Sequence, residues 1–215
     1  MSESNTDSGV YGALKAVYRW VRYMPDRMLH RRRHLEARER LLRLQTVRSI
    51  LVVCHGNICR SPYLEAVLRR AMPPVSVTSA GLVVPDRPVP TSSLAVSAER
   101  GLDLSAFRSR PLSSVNAREI DLVIVMDPDQ GHHLSRMFGV SPKRIIVAGD
   151  LDPMKAETRA IQDPWRHSLK VFRASFDRLD RCAATIATLM PYARHGGREA
   201  LTSRRSVSAA QKGRP

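Results

Sequence analysis

The stretch ILVVCHGNICRSPYLEAVLRRAM, residues 50–72, decides the fold. It begins with a short apolar run rich in β-branched residues, which is typical of a strand buried on both faces. It ends in a helical pattern that places Leu64, Leu68 and Met72 on one face. Pro62 fits the first turn of that helix, because the N–H that proline lacks would have no partner there. The stretch therefore predicts a strand, a short loop and a helix.

The alternation of strand and helix continues along the chain. Further strand patterns occur at 75–81, 120–126 and 143–149, and helical patterns occur at 91–101, 129–139 and 165–190. Parallel strands need crossover connections of this kind, and the helices then cover the faces of the sheet. The sequence therefore predicts an α/β fold in three layers, a four-stranded parallel sheet flanked by helices.

Charge divides the chain into three parts. The 215 residues carry a formal net charge of +15, and the basic residues concentrate at the ends. Residues 1–48 hold eleven Lys and Arg against five Asp and Glu, and residues 192–215 hold six against one. We predict a basic, partly helical extension over 1–47, one globular domain with the catalytic residues over 48–191, and a disordered basic tail over 192–215.

Two basic amphipathic helical patterns occupy the extension. One follows Val10, the other runs from Met28 to Leu44, and Pro25 separates them. The surface over 10–44 suits peripheral contact with acidic lipid or with an acidic partner. The alternatives are a pair of helices that pack on their own domain, or an upstream start codon. The basic ends contain no motif that reads nucleic acid, so we expect no sequence-specific nucleic-acid binding.

The sequence contains no clear targeting signal. No run approaches the roughly 18 apolar residues that a transmembrane helix needs. Lys15, Arg19 and Arg22 interrupt the apolar positions near the N-terminus, so we do not expect a signal peptide. Three cysteines, two of them within residues 54–59, do not suit a secreted disulfide framework. We therefore expect a cytoplasmic protein.

The loop after the first strand carries the chemistry. In a parallel sheet, ligands bind beyond the carboxyl ends of the strands, where Cys54 lies. Gly56 allows close backbone approach and Asn57 tolerates a left-handed conformation, so N–H groups of residues 55–60 can surround an oxyanion at the helix N-terminus. Arg60 supplies a guanidinium that can bind two oxygens of that anion. We therefore predict a phosphate-binding loop.

Cys54 is either a buried structural residue or a nucleophile. The helix N-terminus and Arg60 favour its thiolate form, and Ser61 is placed to donate a hydrogen bond to the sulfur. A thiolate beneath a bound phosphate is an in-line nucleophile. Because a core strand has no need of Gly, Asn, Arg, Ser and Pro at these offsets, we interpret the site as one that cleaves phosphate esters, with Cys54 and Arg60 as catalytic residues.

The segment VCHGNICRSP at 53–62 resembles the signature of the low-molecular-weight protein tyrosine phosphatases. Other family elements follow in order: SAGL, RSRPL, VIVMD, AGDLDP and IQDPW. The resemblance implies that fold, a phosphotyrosine protein substrate, a cysteinyl-phosphate intermediate and no metal or other cofactor. SAGL and DPW resemble the bacterial subgroup that opposes tyrosine autokinases in surface-polysaccharide production, which implies such a kinase as a partner.

The resemblance assigns the general acid to Asp163, within QDPW. Its carboxyl would protonate the leaving oxygen in the first step and accept a proton from the attacking water in the second. Pro164 stiffens this loop, and Trp165 would form an apolar wall against an aromatic substrate. The alternative role of Asp163 is to cap a helix over 165–190.

The remaining loop residues are predicted to bind phosphate or to support the loop: His55, Gly56, Asn57, Ile58, Cys59 and Ser61. The resemblance implies that Cys59 can form a reversible disulfide with Cys54, which would protect the nucleophile from over-oxidation. A packing role for Cys59 is the alternative. The family commonly has His where this chain has Phe107, and this departure predicts more apolar surroundings for Asn57.

Three other functions use similar residues. Arsenate reductases of related fold need two further cysteines to relay a disulfide, and none lies between Arg60 and Asp163. Protein-arginine phosphatases place Thr where this chain has Ile58, so phosphotyrosine is favoured. A non-catalytic adaptor that only binds phosphate would have no use for Asp163. No spacing of Cys and His suggests a metal site.

Overall fold

The computed structural model of the protein describes residues 7–44, 46–83 and 86–190. Strands and helices alternate along this part of the chain, as the sequence predicts. In order they are α1 Asp7–Arg43, β1 Ser49–Cys54, α2 Arg60–Ala71, β2 Ser76–Gly81, α3 Thr91–Ala98, β3 Leu122–Val125, α4 Pro128–Phe138, β4 Ile145–Val147 and α5 Leu169–Leu189. Short 3-10 turns lie at Leu112–Ser114, Pro142–Arg144 and Ala148–Leu151.

The four strands form one parallel sheet in the order β2-β1-β3-β4. The central strand, β1, pairs with β2 so that Cys54 lies opposite Gly81. Side chains alternate along β1, as the strand period requires. Ile50 and Val52 enter a core shared with α1, α2, α3 and α5, whereas Leu51 enters a second core with α4. The predicted three-layer α/β fold is therefore confirmed.

The start of α5 differs from the prediction. Helix α5 begins at Leu169, four residues later than predicted, and its N-cap is Ser168. Asp163 therefore does not cap this helix, and that alternative role is wrong. Arg166 has a positive φ of 62°, which turns the backbone between the DPW segment and the helix.

The extension forms one helix, α1, and the predicted break at Pro25 is wrong. Pro25 lies on the exposed side of α1, where water can replace the hydrogen bond that proline removes. Ala37 and Leu41 are buried in the main core. The Nδ1 atom of His34 lies 3.0 Å from the carbonyl oxygen of Asp150. The C-terminal half of α1 thus packs on its own domain.

Two further predictions concern regions at the chain's ends. The predicted disordered tail over 192–215 lies outside the described residues, and so does the start of the extension before Asp7. Within the described ranges, none of the helices combines the length and apolar character needed to cross a bilayer.

Candidate active site

The sulfur of Cys54 lies at the carboxyl end of β1 and receives two hydrogen bonds. The backbone N–H of Asn57 donates to Sγ over 3.2 Å, and the hydroxyl of Ser61 donates over 3.0 Å. Cys54 is only 2% exposed, and it lines a cavity at the top of the sheet. Two donors aimed at one sulfur stabilise a thiolate, because a charged acceptor gains more from each bond than a neutral one.

Asn57 holds the loop in shape. Its φ of 50° is left-handed, a conformation that asparagine tolerates better than most residues. Its side-chain amide donates to the hydroxyls of Ser61, over 2.9 Å, and Ser79, over 2.8 Å. Its side-chain oxygen accepts from the backbone N–H of Arg110 over 2.8 Å. All three bonds are buried or half-buried, so Asn57 ties the loop to α2, to β2 and to the segment after α3.

The replacement of His by Phe107 therefore leaves Asn57 with polar partners. Phe107 packs against the main core, and the hydrogen bonds to Asn57 come from two hydroxyls and a backbone amide. The expectation of more apolar surroundings for Asn57 is wrong. Behind Ser79, the buried carboxylate of Glu65 accepts the Ser79 hydroxyl over 2.6 Å and lies 3.4 Å from Nη2 of Arg110.

Sequence reasoning missed Ser79, Glu65 and Arg110. Ser79 and Arg110 stand within the SAGL and RSRPL elements, and the order of those elements was the only available signal. Gly81 was missed as well. A Cβ on Gly81 would lie 2.9 Å from the Cβ of Asn57, so only glycine lets the loop lie this close to β2.

Arg60 and Asp163 meet across the cavity. The Arg60 side chain is 5% exposed and donates through Nη2 to Oδ2 of Asp163 over 2.5 Å. Its Nη1 donates to the carbonyl oxygen of Ile161 over 3.0 Å. The Nε–H of Arg60 is buried and has no hydrogen-bond partner. A buried guanidinium N–H without an acceptor is costly, and a bound oxyanion would supply that acceptor.

The cavity has a volume of about 300 Å³. It brings together most of the predicted site residues, and its lining is Cys54, His55, Gly56, Ile58, Cys59, Arg60, Val83, Arg87, Asp163 and Trp165. Asn57 and Ser61 are fully buried behind this lining. His55 is exposed at its rim.

Trp165 forms part of the cavity wall and is 40% exposed. The guanidinium carbons of Arg87 and Arg166 lie 5.6 Å and 4.3 Å from its ring centroid. Both distances are within the range of cation–π contact, which favours a fixed ring orientation. Neither arginine was singled out from the sequence, because loop residues of this kind carry no periodic signal.

Cys59 also borders the cavity, but in a different environment from Cys54. Burial raises the pKa of the Cys59 thiol far above its ordinary value, and the neighbouring Cys54 and Asp163 raise it further. Cys59 is therefore a neutral thiol at neutral pH. All three cysteines are free, and Cys182 lies on the buried face of α5 in the main core.

The loop that carries Asp163 is fastened at several points. The backbone N–H of Ile161 donates to the carbonyl oxygen of Met126, at the end of β3, over 2.8 Å. The hydroxyl of Ser175 in α5 donates to the carbonyl oxygen of Gln162 over 3.0 Å. These bonds flank Asp163 and fix the height of its carboxylate above the sheet.

Arg178 of α5 is the principal clamp on this loop. Its guanidinium donates to the carbonyl oxygens of Ala160 and Thr158, each over 2.7 Å, and to the buried carboxylate of Asp152 over 3.1 Å. Arg181 adds two bonds to Asp152, over 2.8 and 2.9 Å. Sequence reasoning missed this arrangement, because the arginines look like ordinary charges on a helix.

The geometry combines a sulfur with two donors, a guanidinium with an unsatisfied N–H, and a carboxylate, around one small cavity. Such a set can bind an oxyanion and move a proton beside it. Among the residues that the structure describes, no group of three His, Cys, Asp or Glu side chains is arranged to hold a metal ion.

Comparison with known proteins identifies the family of this chain. Residues 49–193 match the family model of the low molecular weight phosphotyrosine protein phosphatases. The probable low molecular weight protein-tyrosine-phosphatase EpsP of Ralstonia nicotianae is 33% identical over 136 residues, which is 63% of this chain and 90% of that protein. The phosphatase Etp of Escherichia coli K12 is 35% identical over 139 residues, 63% of this chain and 89% of that protein.

A solved structure of a tyrosine phosphatase also matches this fold. The tyrosine phosphatase Wzb from Escherichia coli K30, in complex with sulphate, aligns with a TM-score of 0.61 and 32% identity, over 66% of this chain and 98% of that one. Sequence, fold and cavity thus converge, and the chain belongs to the low molecular weight phosphotyrosine protein phosphatase family.

Proposed function

We propose that this protein hydrolyses phosphotyrosine in proteins through a cysteinyl-phosphate intermediate on Cys54, without a metal ion. The observation that carries the proposal is the unsatisfied, buried Nε–H of Arg60 in a cavity that also holds the Cys54 sulfur and the Asp163 carboxylate. A buried guanidinium N–H without an acceptor is expensive, and a phosphate oxygen bound in this cavity would satisfy it.

In the first step, the phosphate enters the loop between Cys54 and Arg60. The guanidinium exchanges Asp163 for two phosphate oxygens, as its planar fork suits a bidentate anion. The thiolate then attacks phosphorus in line, so that a sulfur–phosphorus bond forms while the phosphorus–oxygen bond to tyrosine breaks. Asp163 gives its proton to the departing phenolate oxygen.

In the second step, water attacks the cysteinyl phosphate. Asp163, now a carboxylate, accepts a proton from this water, and the sulfur–phosphorus bond breaks to release inorganic phosphate. The departing sulfur is stabilised by the donors already aimed at it, the Ser61 hydroxyl and the Asn57 N–H. The Asp163 carboxyl therefore acts as the acid in the first step and as the base in the second.

The shape of the cavity favours an aromatic phosphate. Cys54 lies at the floor, so a tyrosine phosphate reaches it while a shorter phosphoserine does not. Ile58 and Trp165 offer apolar contact to a ring, and Ile58 lacks the hydroxyl that protein-arginine phosphatases have at this position. Arg87 at the cavity edge suits acidic residues beside the phosphotyrosine.

The substrate we propose is a tyrosine-phosphorylated protein of bacterial surface-polysaccharide production, with a tyrosine autokinase as the opposing enzyme. This rests on the SAGL and DPW elements, which resemble that subgroup. Because a free thiol nucleophile needs reducing surroundings, we propose that the reaction takes place in the cytoplasm.

The test compares four proteins with p-nitrophenyl phosphate and with a tyrosine phosphopeptide. Cys54→Ser should abolish turnover, and Asp163→Ala should lower it by about 10²- to 10⁴-fold, the usual range for a general acid. The loss in Asp163→Ala should be larger with the phosphopeptide, because tyrosinate is the poorer leaving group. Asp129→Ala, which removes an exposed carboxylate of α4, is the control and should match the wild type.

Two results would contradict the proposal. Equal and negligible turnover in all four proteins would favour a phosphate-binding adaptor. Loss of wild-type activity on treatment with EDTA would contradict a reaction without a metal. Phosphotyrosine proteins retained by immobilised Cys54→Ser would identify the natural substrate.

A further inference from the structure

Helix α1 has an apolar face that points away from the domain. We call this face the outer stripe, and its described members are Val17, Val21, Met24, Met28, Leu35 and Leu42. Their exposed fractions run from 38% at Met24 to 73% at Met28. At 100° per residue, all six fall within a sector of about 60°. Ala37 and Leu41, which are buried in the core, lie on the opposite side.

This arrangement reverses the usual pattern of a surface helix. A helix that only covers its own domain carries its apolar residues inward and polar residues outward. Here Ala37 and Leu41 make the buried apolar contact with the domain, whereas the six apolar side chains of the outer stripe are exposed to water. Scattered apolar residues on a surface need no explanation, but exposed apolar residues that recur along one helix face indicate an interaction surface.

The borders of the outer stripe are basic. Arg31 lies along one border, and Arg32 and Arg43 lie along the other. The two exposed carboxylates of this side are already paired: Glu36 with Arg32 over 2.7 Å, and Glu39 with Arg43 over 3.1 Å. Residues 17–43 hold nine arginines against three acidic residues. An occupant of this face therefore meets apolar contact at the centre and positive charge around it.

Two exposed aromatic side chains flank the outer stripe near its first turn, Trp20 on one side and Tyr18 on the other. Tyr18 is 64% exposed and Trp20 is 55% exposed. Their rings have an apolar body and a polar edge, which suits the boundary between lipid headgroups and acyl chains. The contacts of α1 with the domain lie further along, at Asp26, His34 and Arg40. The helix is thus held at one end and offers its outer face along its length.

We propose that α1 lies on an anionic lipid surface, with the outer stripe at the acyl boundary and the bordering arginines at the phosphates. The charge pattern selects lipid over a second copy of the chain. Two copies packed stripe to stripe would bring arginine rows against arginine rows, whereas anionic headgroups neutralise them. The helix would hold the phosphatase domain at the membrane without spanning it.

The experiment measures co-sedimentation of the full chain with vesicles. One set contains phosphatidylglycerol and phosphatidylcholine in equal parts, and the other contains phosphatidylcholine alone. The double variant Met24→Glu, Met28→Glu places two charges in the outer stripe. The matched control, Met137→Glu with Met154→Glu, makes the same change at methionines that are 68% and 57% exposed on the domain. Turnover of p-nitrophenyl phosphate checks that both variants are folded.

The wild type and the control should bind the anionic vesicles, with binding lost at high salt and absent from phosphatidylcholine. The stripe variant should bind at least about tenfold more weakly, because the two new carboxylates replace apolar contact and place negative charge within the outer stripe itself. The proposal is overturned if the wild type does not sediment with anionic vesicles, or if the stripe variant binds as well as the control. A dimer that the stripe variant abolishes, without vesicle binding, would assign the face to a second copy instead.

Discussion

Replacing Arg178 with methionine removes the clamp on the loop that carries Asp163 while keeping a side chain of similar length. Three hydrogen bonds are lost, to Ala160, Thr158 and Asp152. Truncating one partner of a buried ion pair typically costs about 3–5 kcal/mol. Since Asp152 keeps its two bonds from Arg181, we expect the lower end of this range, about 3 kcal/mol. For a chain of this size that is a fall in Tm of roughly 6–12 °C.

The effect on activity should depend on the leaving group. A loop freed at Ala160 and Thr158 no longer holds Asp163 at a fixed height, and displacement of a catalytic group by about 1 Å can cost 10²-fold. The variant should slow the step in which the Asp163 carboxyl protonates the leaving oxygen. We therefore expect kcat for a tyrosine phosphopeptide to fall by about ten- to a hundredfold, and kcat for p-nitrophenyl phosphate to fall much less.

The assays are urea unfolding and steady-state kinetics with both substrates. The control is Arg173→Met, on the same helix, which breaks an exposed ion pair with Glu99 at the end of α3. Exposed pairs contribute about 1 kcal/mol or less, so this variant should keep both stability and the ratio of the two rates. Arg178→Met behaving like Arg173→Met would refute the clamp. A loss of stability with an unchanged ratio would show that the other fastenings suffice to place Asp163.

Three further predictions follow from the same geometry. Gly81→Ala should lower kcat/KM by about 10²-fold in steady-state kinetics, because its methyl would push Asn57 and the loop off the Cys54 sulfur. Burial alone would raise the pKa of Asp152, but bonds from Arg181 and the Met154 N–H lower it below 3.8. The stabilisation that ionised Asp152 gives to the folded state is therefore complete above about pH 5, and it is lost as pH falls through and below 3.8. Urea unfolding across this range should show that the free energies of unfolding of Asp152→Asn and the wild type converge at low pH. Cys59→Ser should keep its turnover but, unlike the wild type, should not recover with dithiothreitol after peroxide treatment.

The parts of the site that the sequence predicts are those encoded within one short segment. Cys54, Asn57 and Arg60 stand on a single strand–loop–helix unit, where spacing alone determines which groups meet. Asp163 is more than a hundred residues away, and in the sequence only the family resemblance links it to Arg60. Nothing in the spacing of α5 distinguishes Arg178, which clamps the loop, from Arg173, which lies in an exposed pair.

The fold was predictable for a similar reason, and its one large error is instructive. Buried parallel strands such as β1 are continuous apolar runs, which the sequence displays directly. The break expected at Pro25 did not occur, because a proline on the exposed side of a helix loses a hydrogen bond that water can replace. Local propensity penalises that position, whereas packing at Ala37 and Leu41 supports the helix from further along the chain.

The docking of α1 has a consequence for synthesis. This helix is translated well before its partners: Arg40 bonds to a residue 102 positions later, His34 to one 116 later, and Asp26 to one 133 later. Leu41 enters a core that also needs α5, which is translated after all the other described helices and strands. Until α5 has been made, α1 has no complete surface to pack on, and its apolar residues stay exposed on the growing chain. A helix that is made early is thus among the last elements to reach its packed position.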